Sequence, residues 1–397
     1  MATVNYNPYF NAIERFEDKY FYPMSKQHLN DPNKKTEFPI DFGDGFCSSQ
    51  FQYYISGTLK KSDGTDYTDG DSIKLIDNFV PFLFTKIEVR KHNKLIDEVE
   101  YPGQLSTIKG TISYSKSDVN TSSNGFNSNF SFGRFEAIGK LSHLGLGFFE
   151  NVNVPIYKGG FNISFIRAED DDAIYRYKKG NEALPAAGKI TIDEFFIIVP
   201  IIEFKTTSKI QLVNEIMKSG KVLFHFKQWQ CIEQKGISGT TYNFDITNIY
   251  RNIYNPKFII IGFQAARSNN QEKDPSKFDS ENIKNIRVKL NGQYYPDELM
   301  NLRITDGIYR IAYQRYQEYK SKDVFLTEDE WKNNRPLFVI DTTKVPTNIS
   351  GSKNDIIINM DFTNLISSAV NVVCYVVVVS EKYLEYDVIK NDIREIK

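Results

Sequence analysis

The sequence predicts an all-β chain built as two similar halves, and three observations carry that expectation. The first is a grammar shared by residues 72–96 (SIKLIDNFVPFLFTKIEVRKHNKLI) and residues 255–302. Both are short apolar runs broken by polar turns, and both contain a tight Asn turn, His92-Asn93-Lys94 in one and Asn291-Gly292 in the other. The second is the aromatic share, 14% with 30 Phe and 24 Tyr, which favours β-rich packing. The third is length. At 397 residues the chain suits two domains of about 150–200 residues better than one core. Eight short strands per half, with short helices at the linker and in a second-half insertion, fit two tandem eight-stranded jelly rolls, a double jelly roll. The halves share no visible sequence identity, so the repeat is architectural.

Residues 1–37 read as an N-terminal arm. Within it 8–22 predicts a short amphipathic helix with Phe10, Ile13 and Tyr20 near one face. Such an arm either frays or docks on a neighbouring subunit. The first jelly roll is expected over 38–206, its strands at 51–59, 74–92, 93–102, 161–168 and 188–204. Turns at 62–71, 123–129 and 157–160 separate them, and Pro81 inside a strand-like run implies an edge or a bulge. Residues 207–220 form the linker helix, capped by Ser208, ended by Gly220, with Ile210, Val213 and Met217 on one face.

The second jelly roll follows over 221–390, with strands at 221–234, 240–247, 257–266, 284–295, 355–363 and 369–389. A helical insertion is expected at about 297–335. In it, 305–320 stripes Tyr309, Tyr313 and Tyr316, and Thr327–Glu330 is a capping box ahead of Trp331. The apolar run 369–379 is too short to span a bilayer and its density of Val reads as a strand buried on both faces. Residues 391–397 are left as a C-terminal tail.

Charge and cysteines exclude several functions. With 49 basic and 50 acidic residues the net charge is −1, whereas a protein that grips a phosphate backbone carries a basic excess. Cys47, Cys231 and Cys374 are far apart and form no CxxC, so neither a zinc site nor a disulfide framework is suggested and a reducing compartment is expected. The N-terminus does not read as a signal peptide. The sequons at Asn120, Asn129, Asn162 and Asn348 are as many as this Asn- and Ser-rich composition produces by chance.

No catalytic constellation emerges. His28, His92, His143 and His225 are too scattered to pair as metal ligands. Glu169-Asp170-Asp171-Asp172 reads as a solvated turn, although paired carboxylates there would be the site of a carbohydrate-binding or hydrolytic β-sandwich. Asp63, Asp66, Asp69 and Asp71 lack calcium-loop spacing and read as a hairpin tip. Gly145-Leu146-Gly147 lacks the following helix that phosphate binding needs. The Tyr stripe reads as packing rather than as a base-stacking surface.

A resemblance gives the two halves a purpose. The stretch DNFVPFLFTKIEVRKHNKLIDEVEYPGQLSTIKGTISYS resembles a segment of the double jelly-roll major capsid proteins of Polinton/Maverick elements and adintovirus-like DNA viruses, including copies in invertebrate genomes. LSHLGLGFFENVNVPIYKGGFNISFIRAEDDDAI is similar to their next block, and later segments follow in the same order to about residue 319. The most specific piece is Trp229 followed by Gly262-Phe263-Gln264, Phe278-Asp279, Asn291 and Tyr295-Pro296. Two departures, the apolar VPIIEF and the very acidic EDDD, fall at expected loops or strand ends.

The resemblance implies a structural protein without enzymatic activity or cofactor. Three copies would form a pseudo-hexagonal capsomer tiling an icosahedral shell in the virion. Its partners would be itself, neighbouring capsomers and penton or minor capsid proteins, with no sequence-specific nucleic acid; contact with an internal membrane is left open. The same fold also serves non-capsid scaffolds such as those of poxviruses.

Overall fold

The structure, a computed structural model, describes residues 11–115, 117, 124–126, 132–152, 154–247, 256–321, 326–343 and 355–396. Residues 8–10 of the expected helix, part of the 123–129 turn and the sequons at Asn120, Asn129 and Asn348 lie outside these; Asn162 lies within a strand, half-buried.

The first half runs β1 (Ile13–Phe21), β2 (Lys35–Asp41), β3 (Phe46–Cys47), β4 (Gln52–Lys61), β5 (Ile73–Leu75), β6 (Phe84–Lys91), β7 (Lys94–Glu100), β8 (Gly133–Lys140), β9 (Ile156–Tyr157), β10 (Gly160–Arg167), β11 (Ile174–Arg176) and β12 (Gly188–Phe204). The second runs β13 (Lys221–Ile237), β14 (Gly239–Asp245), β15 (Pro256–Ala265), β16 (Ile283–Leu290), β17 (Gln293–Tyr295), β18 (Phe338–Asp341), β19 (Ile356–Ile366), β20 (Val372–Asp387) and β21 (Asp392–Ile396).

Each half is a sandwich of two layers that share a four-strand order, with β3 and β9 added to one layer of the first half and β21 to one layer of the second. In the first, β1-β12-β4-β8 faces β2-β10-β6-β7; in the second, β13-β20-β15-β18 faces β14-β19-β16-β17. The pairs within these layers are antiparallel, and alternation along β2 and β4 sends every second side chain inward. The two hairpins noted in the sequence are corresponding ones. His92 and Asn93 between β6 and β7 have φ of 48° and 63°, and Asn291 and Gly292 between β16 and β17 have 50° and 88°. Positive φ at both central residues matches the right-handed twist of the flanking strands, which is why Asn occupies both turns. Val372–Val379 of β20 is buried throughout, and the cores of the two halves are continuous.

Several expectations require correction. Residues 13–21 form a strand, not a helix. β1 runs antiparallel along the edge of β12 from Ile13 opposite Phe204 to Phe21 opposite Ile197, because an edge strand offers unpaired donors and acceptors that outweigh weak helical periodicity. Pro81 lies in a buried helical turn, Phe79–Phe82, where its missing N–H is one of the four that a helix start leaves unpaired anyway. Pro102–Ser113, a Ser/Thr-rich stretch that the strand pattern leaves unassigned, is a helix. It opens with Pro at its first position and is buried from Pro102 to Ile112. Its hydroxyls satisfy themselves: Thr107 donates to Gly103 O and Thr111 to Thr107 O, each at 2.8 Å.

The linker helix is Thr206–Ser219, with Lys205 rather than Ser208 at the N-cap. Leu212 and Ile216 form its buried face, leaving Ile210 and Met217 exposed. Gly220 ends it in the left-handed region with its N–H on Ile216 O. In the insertion, Arg310–Tyr319 starts five residues later than expected, and Glu328–Asn334 carries the Thr327/Glu330 capping box. Tyr309, Tyr313 and Tyr316 surround Trp331 at ring distances of 5.9, 5.2 and 6.1 Å. The expected tail is a strand, β21, paired with β20.

Candidate functional site

The most constructed polar region is the junction between the two jelly rolls. From the first half come the β7 strand, the helix Pro102–Ser113, the helical turn Phe148–Asn151 and the acidic turn after β10. From the second come β13, β20 and the loop 266–277.

Phe148 packs between Phe224 and Phe226 of β13, at ring distances of 5.6 and 5.4 Å. The approach is close enough that a Cβ on Gly147 would fall 1.7 Å from Lys227 O. The Gly-Leu-Gly segment is therefore followed by a helical turn after all, and its glycine serves backbone contact between the halves. Asp97, fully buried on β7, accepts the N–H groups of Glu98 at 3.0 Å and Phe148 at 3.1 Å. Burial pushes its carboxyl up to about 6, against the pull of the Lys382 ammonium. Lys382, on β20, donates to Ile96 O at 2.9 Å. Lys109 lies 5.2 Å from the Trp229 ring centroid, donates to Ser142 O and pairs with Glu150 at 2.8 Å. Tyr316 OH donates to Thr111 O at 2.8 Å, tying the insertion to the first half.

The acidic run is not a solvated turn. Asp170–Asp172 forms a 3-10 turn in which Asp170 pairs with Arg167 and accepts from Ile190 N. Asp171 accepts from Gln271 Nε2 at 2.7 Å, and Asp172 from Asn269 N at 2.6 Å. Burial pushes Asp172 up to about 6; the Asn269 hydrogen bond opposes this and Asp171 adds to it. Gln271 also brackets Gly188, accepting its N–H at 2.8 Å and donating to its carbonyl at 2.9 Å. Asp171 and Asp172 are spent joining the halves, and Asp170 is held within the first half by Arg167 and Ile190. Among the described residues no group of three or more His, Cys, Asp or Glu is placed to hold a metal ion. The tip at 62–71 is laced internally, with Asp63 on Thr65 and Asp71 on Thr68.

The sequence-selected residues fall in three places. Trp229 is at the junction, under Lys109. Gly262, Phe263, Gln264, Phe278 and Asp279 form one cluster behind β15. A Cβ on Gly262 would lie 2.7 Å from the Phe278 ring, Phe263 packs on Phe338 and Phe362, and Gln264 Nε2 donates to Pro275 O and Lys277 O. Asp279 accepts from Ala265 N and pairs with Arg267. Asn291 turns the β16–β17 hairpin, its side chain accepting from Asp355 N, and Tyr295-Pro296 is a cis peptide after β17. Sequence reasoning missed Asp97, Lys382 and Gln271. The only available signal was a charge inside an otherwise apolar alternation, as in KLIDEVE and VVVVSEKYLEY.

Comparison with known proteins places this architecture. Residues 73–383 match the model of the double jelly roll-like domain, and the chain belongs to that family. The family's fold is structural rather than enzymatic. Among solved structures, the chain is similar to VP54 of PBCV-1 fitted into a reconstruction of the virophage Sputnik (TM-score 0.60, 9% identity, covering 96% of this chain and 97% of that one). It is also similar to the Faustovirus major capsid protein (0.58, 9%, 93% and 90%) and the mavirus major capsid protein (0.53, 9%, 96% and 90%). No curated protein sequence matches.

Proposed function

We propose that this chain is a viral major capsid protein, three copies of which form a pseudo-hexagonal capsomer that tiles an icosahedral shell. One observation carries the reading: two sandwiches sharing a four-strand order in each layer, in a chain belonging to the double jelly roll-like family, stand side by side on a built junction. Three such chains present six similar lateral edges from one gene product. The likeness to the Faustovirus and mavirus major capsid proteins supports the same role. The Polinton/Maverick or adintovirus-like lineage, penton and minor capsid partners, and residence in the virion are part of this proposal. So is the division into two jelly rolls about the linker helix, the first taking in β1 and β2 and the second β21.

Light scattering after size exclusion, followed by negative-stain microscopy, tests it. The expected result is a species three times the 45.9 kDa chain mass, then curved or closed shells. A chain that stays single across salt and pH overturns the reading, and flat sheets would mark a scaffold instead.

A further inference from the structure

The outer face of the first half holds a cavity of about 710 Å³, sunk into the sheet where β12, β4 and β8 run side by side. Two features sink it. β12 bulges between Ile192 and Glu194, leaving Asp193 without a partner on β4. Beside the bulge β4 has Gly57, where a Cβ would fall 2.2 Å from Thr191 O and 2.6 Å from the Phe135 ring. The register then sets the lining in rows across the three strands. Glu194, Ser56 and Glu136 stand abreast, and two residues along so do Phe196, Tyr54 and Ile138. Arg134, two residues from Glu136 the other way, continues the same face. The backbones of Glu194 and Glu136 are about 10 Å apart, two strand spacings, with Ser56 between them. Tyr54 stacks on Phe196 at a ring distance of 4.6 Å. Arg134, Glu136, Asp193 and Glu194 are exposed, and among the described residues none of them is engaged in a hydrogen bond or an ion pair. On β15, the counterpart of β4 in the second half, the sheet is covered by the chain's own insertion, Tyr319 lying on Phe258 at 3.8 Å.

Three uncommitted carboxylates against one guanidinium give the cavity a net negative charge, which selects a cation. A guanidinium uses this lining best. Its planar fork of donors suits carboxylates on two sides, and its flat face suits the aromatic row beside them. Arg134 then decides what carries that cation. A free polyamine meets Arg134 only as a like charge, whereas a peptide also brings backbone carbonyls to which Arg134 can donate. We infer that this cavity binds an arginine side chain presented by another polypeptide. Glu136 and Glu194 accept from its guanidinium, Tyr54 and Phe196 supply the aromatic wall, and Arg134 holds the neighbouring backbone carbonyl. The site belongs to the first half alone and goes beyond the capsid reading, on which it does not depend.

Isothermal titration calorimetry of the full chain tests it with three probes. These are acetyl-Gly-Arg-Gly-amide, the same peptide with citrulline for arginine, and agmatine, which keeps the guanidinium but has no peptide carbonyl. The arginine peptide is expected to bind, and the uncharged citrulline peptide to bind about tenfold more weakly or worse. Glu136→Gln/Glu194→Gln is expected to weaken the arginine peptide by about tenfold or more. Arg134→Ala is expected to weaken the arginine peptide while leaving agmatine no weaker. All three positions are exposed and unpaired, so these variants are expected to melt like the wild type. No binding of the arginine peptide at millimolar concentration, equal binding of the citrulline peptide, or unchanged binding by the double variant overturns the inference. Agmatine binding as tightly as the peptide, with Arg134→Ala strengthening both, marks a polyamine site and overturns it too. None of these outcomes bears on the capsid reading, which the oligomeric state tests separately.

Discussion

Asp97 shows how one residue sets the properties of the junction. Its carboxyl is buried with two backbone N–H donors and a nearby ammonium, and its affinity for a proton is raised to about 6. The unfolded chain titrates near 3.9, so between about pH 4 and 6 the folded state binds more protons. Stability therefore falls as pH rises through this window, by about 2–3 kcal/mol from this group, and is regained on acidification. Urea midpoints at pH 5 and 7.5 should show the difference, and Asp97→Asn should reduce it, leaving the part that Asp172 contributes. Lys382→Met leaves the buried Ile96 carbonyl without its donor and Asp97 without its nearby cation, and a loss of about 1–3 kcal/mol is expected at pH 7.5. Gly147 acts by absence. Its φ of −70° suits any residue, but a methyl there meets Lys227 O, so Gly147→Ala is expected to cost about 1–3 kcal/mol in the same titration.

Among elements, the loop 266–277 is the one whose role depends most on a single side chain. Gln271, almost fully buried, ties it to Asp171 and to both backbone groups of Gly188, and Gln271 O accepts from Arg176 N at 2.7 Å. Gln271→Ala leaves the Gly188 N–H and carbonyl without these partners, a cost of about 1–3 kcal/mol. Hydrogen exchange should show it as faster exchange at Gly188 and Asn269, with the hairpin at Asn291 unchanged. The helix Pro102–Ser113 teaches a related lesson. Gly103 and Gly110 admit Phe82 and Phe126 against its axis, and its hydroxyls bond backward along the helix, so a Ser/Thr-rich segment can be buried on all sides.

For the whole molecule, the decisive property is that two equivalent sandwiches meet through non-equivalent surfaces. In the capsomer proposed above, further copies meet the edges that this junction leaves uncovered among the described residues. An obligate assembly of the kind proposed buries above about 2,000 Å² per interface, and the exposed Phe16 and Tyr20 of β1, with Tyr22 just after it, are apolar surface of the sort that such contacts cover. Assembly is therefore expected to persist at high salt, since apolar contact is not screened as charge pairs are. Light scattering of the wild type at low and high ionic strength would show this, and dissociation at high salt would shift the weight to charged contacts.

The sequence by itself determined the class: all-β, two halves, paired Asn hairpins, a Val-rich buried strand and no catalytic cluster. These are local properties, since strand period, turn φ and apolar density are written in neighbouring residues. It also placed the capping box at Thr327 and the Tyr stripe around Trp331. What only the tertiary structure decided depends on groups far apart in the chain. β1 is a strand because the edge of β12 is there to pair with it. The acidic turn is a latch because Asn269 and Gln271 reach it from about 100 residues away. Asp97 and Lys382 meet only after both sandwiches have folded, because partners nearly 300 residues apart leave no spacing to read.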